Sequence, residues 1–400
     1  MRSNPGTMYP CVMVLFLERM ILMKTTIRTL LCLFLVGCLL LSFAACGKQD
    51  AGAEAAVNLA LIHEPEFGGV YLTMTIDDFN ARGFQYGDSV RVAFSNGYTL
   101  EDLPYYNGYY VDAGDPLLIA YPGYDYIKAA INNGDDLWKK AKLSEDDVAS
   151  VSLVERGKYL DMQQARDIHY VDTRESFDSD EIFANFRAVN VGNLRENVLY
   201  RAASPCDNQH NRAPYVDSLM QKAGVQCVLD LADSDDKILG YIAGDTFDSP
   251  YFLELFKAGG VIPVALNMNF GSKEFKQKIV SGLTTLVQRE GPYLVHCTEG
   301  KDRTGFVCAL LEAFTGASYD EIVNDYMQTY DNYYGITEKS DAKKYQIIKE
   351  KSLDELLGVI TGGKTDDFAA ADLASFAETY LREAGMDNDT IVQLRYRLVK

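Results

Sequence analysis

The chain is short of positive charge. It sets 38 Lys and Arg against 57 Asp and Glu, a formal net charge of −19. A phosphate backbone is held by clustered Lys and Arg, so nucleic acid is excluded as a partner. Broad electrostatic adhesion to anionic lipid is excluded with it. This much acid keeps a protein soluble, and an anionic substrate then needs a local basic pocket working against the global field. Histidine is scarcer, at four residues, and tryptophan occurs once, at Trp138. The eight cysteines show neither a regular disulfide framework nor paired metal spacing, so no metal site and no cofactor is expected. What remains is ordinary: 48% hydrophobic and 24% charged residues over 400 positions, enough for two folded domains.

The start reads as a targeting segment. Residues 23–50, "MKTTIRTLLCLFLVGCLLLSFAACGKQD", have basic Lys24 and Arg28, an apolar run from Leu30, and small Ala44-Ala45 before Cys46. A short basic region, an apolar core and a small-residue cleavage site make a secretory signal. The segment resembles a bacterial lipoprotein leader, which implies a lipid on Cys46 and an exported protein held at the outer face of the cell membrane. Cys46 is preferred to Cys38 because polar Gly47-Lys48-Gln49-Asp50 follows it, whereas apolar residues follow Cys38. Met23 reads as the start, and residues 1–45 as leader.

Residues 46–58 are small and polar, and read as a tether. Residues 59–160 are dense in Tyr and Gly. "VRVAFSNGYTL" alternates Val90, Val92 and Phe94 into Asn96-Gly97, which predicts a hairpin. "YYNGYYV" and "PLLIAYPGY" add strands, giving a small β-rich domain. It is loosely similar to the small β-barrel that ends the S-adenosylmethionine hydroxide hydrolases, a likeness without a catalytic motif. An acidic joint leads to residues 180–400. There "GVQCVLDLA", "GVIPVAL" and "YLVHC" read as buried strands and "KEFKQKIVSGLTTLVQRE" as an amphipathic helix. Ser318 and Glu321 form a capping box ahead of a Tyr-rich helix face and turn. Strands alternating with helices predict an α/β fold with a central, mostly parallel sheet flanked by helices. Cys227 and Cys308 read as buried structural thiols.

The segment "YLVHCTEGKDRTGFVCALL" (293–311) carries the chemistry. A cysteine at the end of a strand, a short Gly-containing loop and a helix start create a cup of backbone N–H groups above a helix N-terminus. Gly300 permits an angle that a side chain resists. Arg303 offers a fork of donors suited to two phosphate oxygens. The same field favours the thiolate of Cys297. A thiolate facing a tetrahedral anion is an in-line nucleophile for phosphoryl transfer.

From His296 to Gly305 the sequence resembles the H-C-x5-R-T signature of cysteine-dependent protein tyrosine phosphatases. Its "GKDRTG" is similar to the bacterial subgroup of secreted tyrosine and phosphoinositide phosphatases. The likeness extends from "NFRAVNVGNLRENVLYRAASP" through "VLDLADSDDK" to the closing helix, about half the chain. Ala188, Asn193 and Ala232 depart from that group's pattern.

The resemblance implies that Cys297 forms a phosphocysteine while Thr298, Glu299, Gly300, Lys301, Asp302 and Arg303 cradle the phosphate. It also implies that Thr304 bonds the sulfur, that His296 orders the loop and that Lys301 adds charge at the rim. Substrates would be phosphotyrosine protein, phosphoinositide or inositol phosphate. Asp230 and Asp302 are both candidates for the general acid, with Asp230 preferred; no W-P-D loop is available because Trp138 lies outside this domain. Two other readings stay open: a rhodanese-type sulfur transferase, disfavoured by the five-residue spacing, and a surface module that captures phosphorylated ligands without turnover.

Overall fold

The computed structural model describes residues 53–400. The leader and Cys46 lie outside those residues. Seven strands close an N-terminal barrel: β1 (Ala56–Glu64), β2 (Gly69–Leu72), β3 (Ser89–Phe94), β4 (Thr99–Tyr106), β5 (Pro116–Ile119), β6 (Ile127–Ile131) and β7 (Val148–Glu155), in the order β1-β2-β6-β5-β4-β3-β7. Closure leaves no sheet edge exposed. β1 starts at Ala56, inside the stretch read as tether.

The Asn96-Gly97 hairpin joins β3 to β4 with Ala93 opposite Thr99. Gly97 takes φ +92°, and the Asn96 carboxamide accepts from Tyr98 N at 3.0 Å. Asn107-Gly108 makes no second hairpin: β4 pairs with β5 in parallel. The Asn107 carboxamide is drawn instead to Asp167, donating at 2.9 Å, and to Gln163, from which it accepts at 2.7 Å.

The C-terminal region is mixed α/β. Five strands, β8 (Arg187–Ala188), β9 (Leu199–Ala202), β10 (Cys227–Asp230), β11 (Val261–Pro263) and β12 (Tyr293–His296), form a sheet in the order β11-β10-β12-β9-β8. β9 to β12 pair in parallel, and the two-residue β8 runs antiparallel at the edge. Successive side chains point to opposite faces of a strand, so β10 and β12 are apolar on both. Leu229 and Val295 join the core under helices Lys273–Leu286 and Asp302–Phe314, while Val228 and Leu294 join the core around Phe252 and Met220. Ser272 caps the first of these helices, and the Ser318–Glu321 capping box opens helix Tyr319–Tyr334, whose Tyr326, Tyr330 and Tyr333 are buried. Cys227 and Cys308 are buried free thiols.

Barrel and sheet domain interlock. Arg166 donates to Ser352 Oγ at 2.8 Å, and Lys351 pairs with Asp112 of the barrel at 3.2 Å.

Candidate active site

Cys297 follows β12 directly, at the carboxyl end of a central parallel strand, where α/β sheets place ligands. It is 3% exposed. Helix Asp302–Phe314 begins five residues later, and its N-cap Lys301 makes no side-chain capping bond. The first amides of a helix have no partner in the preceding turn. Among the described residues, the backbone N–H groups of Thr298, Glu299, Gly300 and Lys301 also find no acceptor. Free donors and the positive end of a helix dipole therefore converge beside the thiol.

Gly300 is fixed by steric necessity. Its φ is +67°, and a Cβ there would lie 2.2 Å from the carbonyl oxygen of Ala202 in β9. The loop is gripped from behind by groups assigned no role in the sequence. Arg201 Nη2 and Asn185 Nδ2 both donate to the Gly300 carbonyl, at 3.0 and 3.3 Å. Tyr333 donates its hydroxyl to the Glu299 carbonyl at 2.7 Å, and Ser204 N donates to the Thr298 carbonyl at 3.1 Å. Arg201 and Arg187 both pair with Asp325, which they hold well below the usual carboxylate range despite its burial. The resemblance segments "NFR" and "LYR" contained Asn185, Arg187 and Arg201, which was the available signal for this support.

Arg303 Nη2 donates to Thr298 Oγ1 and Nη1 to the Leu266 carbonyl, both at 3.2 Å, while its buried Nε has no partner. The guanidinium is thus anchored at its tip while its Nε–H is unused. Thr304 Oγ1 is likewise buried without a partner. Lys301 Nζ does not stand free at the rim: it pairs with Glu299 Oε2 at 2.9 Å and lies 3.5 Å from the Tyr334 hydroxyl. Burial works against the Lys301 charge, but Asp302 and Glu299 raise its pKa well above the ordinary lysine value. Burial also opposes Glu299 ionisation, yet Lys301 and the Tyr170 hydroxyl leave its carboxyl below the usual range. An acid in an anion-binding loop is accommodated because Glu299 answers Lys301.

The two aspartates compared as general acids sit in different surroundings. Asp302 occupies the first turn of the helix, 42% exposed, and lines a cleft of about 610 Å³ with Tyr326 and Phe270. Tyr109 and Asn132 of the barrel line the same cleft, which takes in Asp302 but neither Cys297 nor Arg303. Asp230 has no exposed surface. Its Oδ1 accepts from Ala232 N and Asp233 N at 2.9 and 3.1 Å, and burial raises its pKa. A proton donor must reach the leaving oxygen. Asp230 offers no exposed surface for that: the carboxylate is turned into the protein, toward His296 and Cys206.

Residues 263–400 match the tyrosine phosphatase family. The chain is 28% identical over 139 residues to the triple specificity protein phosphatase PtpB of Mycobacterium tuberculosis, covering 32% of this chain and 50% of that protein. It is 31% identical over 118 residues to a tyrosine-protein phosphatase of Nostoc commune, covering 28% of this chain and 40% of that one. The chain thus spans half or less of the length of these curated relatives. Among solved structures, the core catalytic domain of the PP-IP phosphatase SIW14 from S. cerevisiae is similar over 45% of this chain and 92% of its own, with 19% identity and a TM-score of 0.25. The family match lies wholly within the C-terminal domain.

Proposed function

We propose that the protein is a phosphomonoester hydrolase working through a phosphocysteine intermediate, on phosphotyrosine protein or on phosphoinositide and inositol phosphate. The observation that carries this reading is the ring of free amides over an uncapped helix start, beside Cys297 and the unused Nε of Arg303. Such a ring binds three equatorial oxygens and stabilises the charge they gather in the transition state. The Cys297 thiolate attacks phosphorus in line, forming S–P as the P–O bond to the alcohol breaks. Asp302 gives its proton to the departing oxygen. Water then attacks phosphorus, its proton passes to the Asp302 carboxylate, and the S–P electron pair returns to sulfur as phosphate forms. Thr304, with a buried hydroxyl free to donate, helps that sulfur leave.

In the same reading the protein is exported and lipid-anchored at Cys46, so its substrates lie outside the cell membrane. The test is turnover of para-nitrophenyl phosphate by the protein and by Cys297→Ser. Sustained release lost in the variant supports the hydrolase. Tight phosphate binding with no turnover in either favours a capture module, and sulfur transfer from thiosulfate to cyanide favours the transferase. A phosphate-release panel over phosphotyrosine peptide, phosphoinositide vesicles and soluble inositol phosphate then assigns the substrate class.

A further inference from the structure

Behind the loop, four side chains from three segments lie out of solvent. Cys206 Sγ lies 3.9 Å from Asp230 Oδ2 and 4.0 Å from Asp233 Oδ2, and His296 Nε2 lies 3.7 Å from Asp230 Oδ2. All four residues are buried. Asp230, Asp233 and His296 each have their other polar atom already engaged. Asp230 Oδ1 takes the two amides of its own turn. Asp233 Oδ1 takes Lys237 Nζ at 2.7 Å and the Tyr241 hydroxyl at 3.4 Å. His296 Nδ1 lies 3.4 Å from the Cys297 carbonyl, a bond that requires the proton on Nδ1 and leaves Nε2 with a lone pair. That Nε2 is buried without a hydrogen-bond partner. Cys206 Sγ has one neutral neighbour, Ser204 Oγ at 3.4 Å.

From these we infer a buried divalent metal site of the zinc class, with Cys206 Sγ, Asp230 Oδ2, Asp233 Oδ2 and His296 Nε2 as its four ligands. A tetrahedral zinc shell has ligand-to-ligand edges of roughly 3.3–3.6 Å. The Cys206, Asp230 and Asp233 ligand atoms lie within 4.8 Å of one another, and His296 Nε2, at 3.7 Å from Asp230 Oδ2, closes on the other two when the ion binds. Thiolate and imidazole together select zinc-like ions over magnesium or calcium. The engaged second atoms are the outer shell that metal sites use to orient ligands and fix the imidazole tautomer. Charge also balances: two carboxylates and a thiol face one ammonium, Lys237, and a dication supplies the remainder, the Cys206 proton leaving to solvent. The sequence conceals the site because its ligands are single residues spread over 91 positions, from Cys206 to His296. Bound there, the ion pins the imidazole immediately before the nucleophile and stiffens the loop without touching substrate.

The test uses the full chain with Cys297→Ser, which removes the catalytic thiol as a competing ligand. After incubation with zinc and desalting, one zinc per chain is retained, and zinc raises the unfolding temperature. Cobalt(II) in its place gives a near-ultraviolet sulfur-to-metal charge-transfer band and the intense visible bands of four-coordination. Adding Cys206→Ser abolishes the charge-transfer band, and adding Asp233→Asn weakens metal affinity about 10–100-fold. The inference is overturned if no metal is retained, or if the band survives Cys206→Ser. Should that variant fail to fold, unchanged affinity in Asp233→Asn, altered beside the exposed Lys237, overturns it as well. Metal content is read independently of turnover, so failure here leaves the phosphatase reading standing, and the reverse holds.

Discussion

Arg201, on the strand beside β12, donates to the carbonyl oxygen of Gly300 at 3.0 Å while its other arm pairs with Asp325 of helix Tyr319–Tyr334. One buried guanidinium thus ties the tip of the catalytic loop to the sheet and to a helix behind it. Glu312, buried beside Asp325, is pushed well above the usual carboxylate range by burial and by that neighbouring charge. With Glu312 protonated, two guanidinium groups, Arg187 and Arg201, face the single Asp325 carboxylate.

Truncating Arg201 therefore removes two functions together. Arg201→Met leaves Asp325 with Arg187 as its remaining buried partner, so the loss should lie below the about 3–5 kcal/mol that a fully uncompensated buried charge costs. Urea unfolding should show that loss. At concentrations where the variant is still folded, turnover should also fall, because the Gly300 carbonyl keeps only the Asn185 bond at 3.3 Å. Unchanged stability would mean that Arg187 suffices.

Gly300→Ala tests the close approach of loop and strand. The new Cβ would meet the Ala202 carbonyl at 2.2 Å in a left-handed backbone. Strain of this kind costs of order 1–3 kcal/mol. The loop can relieve it only by lifting, so kcat should fall more than stability does. Wild-type kcat in Gly300→Ala would show that the loop tolerates displacement.

Asp302→Asn should discriminate by leaving group. A good leaving group such as para-nitrophenolate needs little protonation, whereas an alkyl alcohol needs much. The loss in kcat/KM should be roughly 10²–10⁴-fold for alkyl phosphates and clearly smaller for para-nitrophenyl phosphate. An equal loss on both substrates would remove Asp302 from the acid role.

The joint between the domains should respond to pH. Burial and the neighbouring Asp112 raise Glu355 from 4.5 to about 7, against the pull of Arg166 and Lys351. A carboxyl raised in the folded state binds its proton more tightly there than when unfolded. Its contribution is complete below about pH 4.5 and declines as pH rises to about 7. Glu355→Gln, which keeps a neutral side chain, should flatten thermal stability across that window. The same slope in both proteins would assign the dependence elsewhere.

Much of the active site was legible because its chemistry is contiguous. His296 to Gly305 sit on one strand end, one loop and one helix start, so residue type and spacing place nucleophile, amides and guanidinium together. The Asn96-Gly97 hairpin and the Ser318–Glu321 cap were legible for the same local reason. Asn107-Gly108 was not: the same dipeptide serves a contact with Gln163 and Asp167, more than fifty positions away. The relative merits of Asp230 and Asp302 were also hidden, since the burial of Asp230 depends on three other segments packing against it.

By itself the sequence determined the local geometry of the loop from His296 to Gly305, because backbone amides, a helix end and a glycine angle are set by neighbours along the chain. Tertiary structure decided that Asp302 lines the cleft while Asp230 is buried, that Lys301 is answered by Glu299, that barrel residues line the same cleft, and that Cys206, Asp230 and Asp233 converge out of solvent. Those are matters of proximity and desolvation between distant segments, and they arise only when the sheet and its helices close.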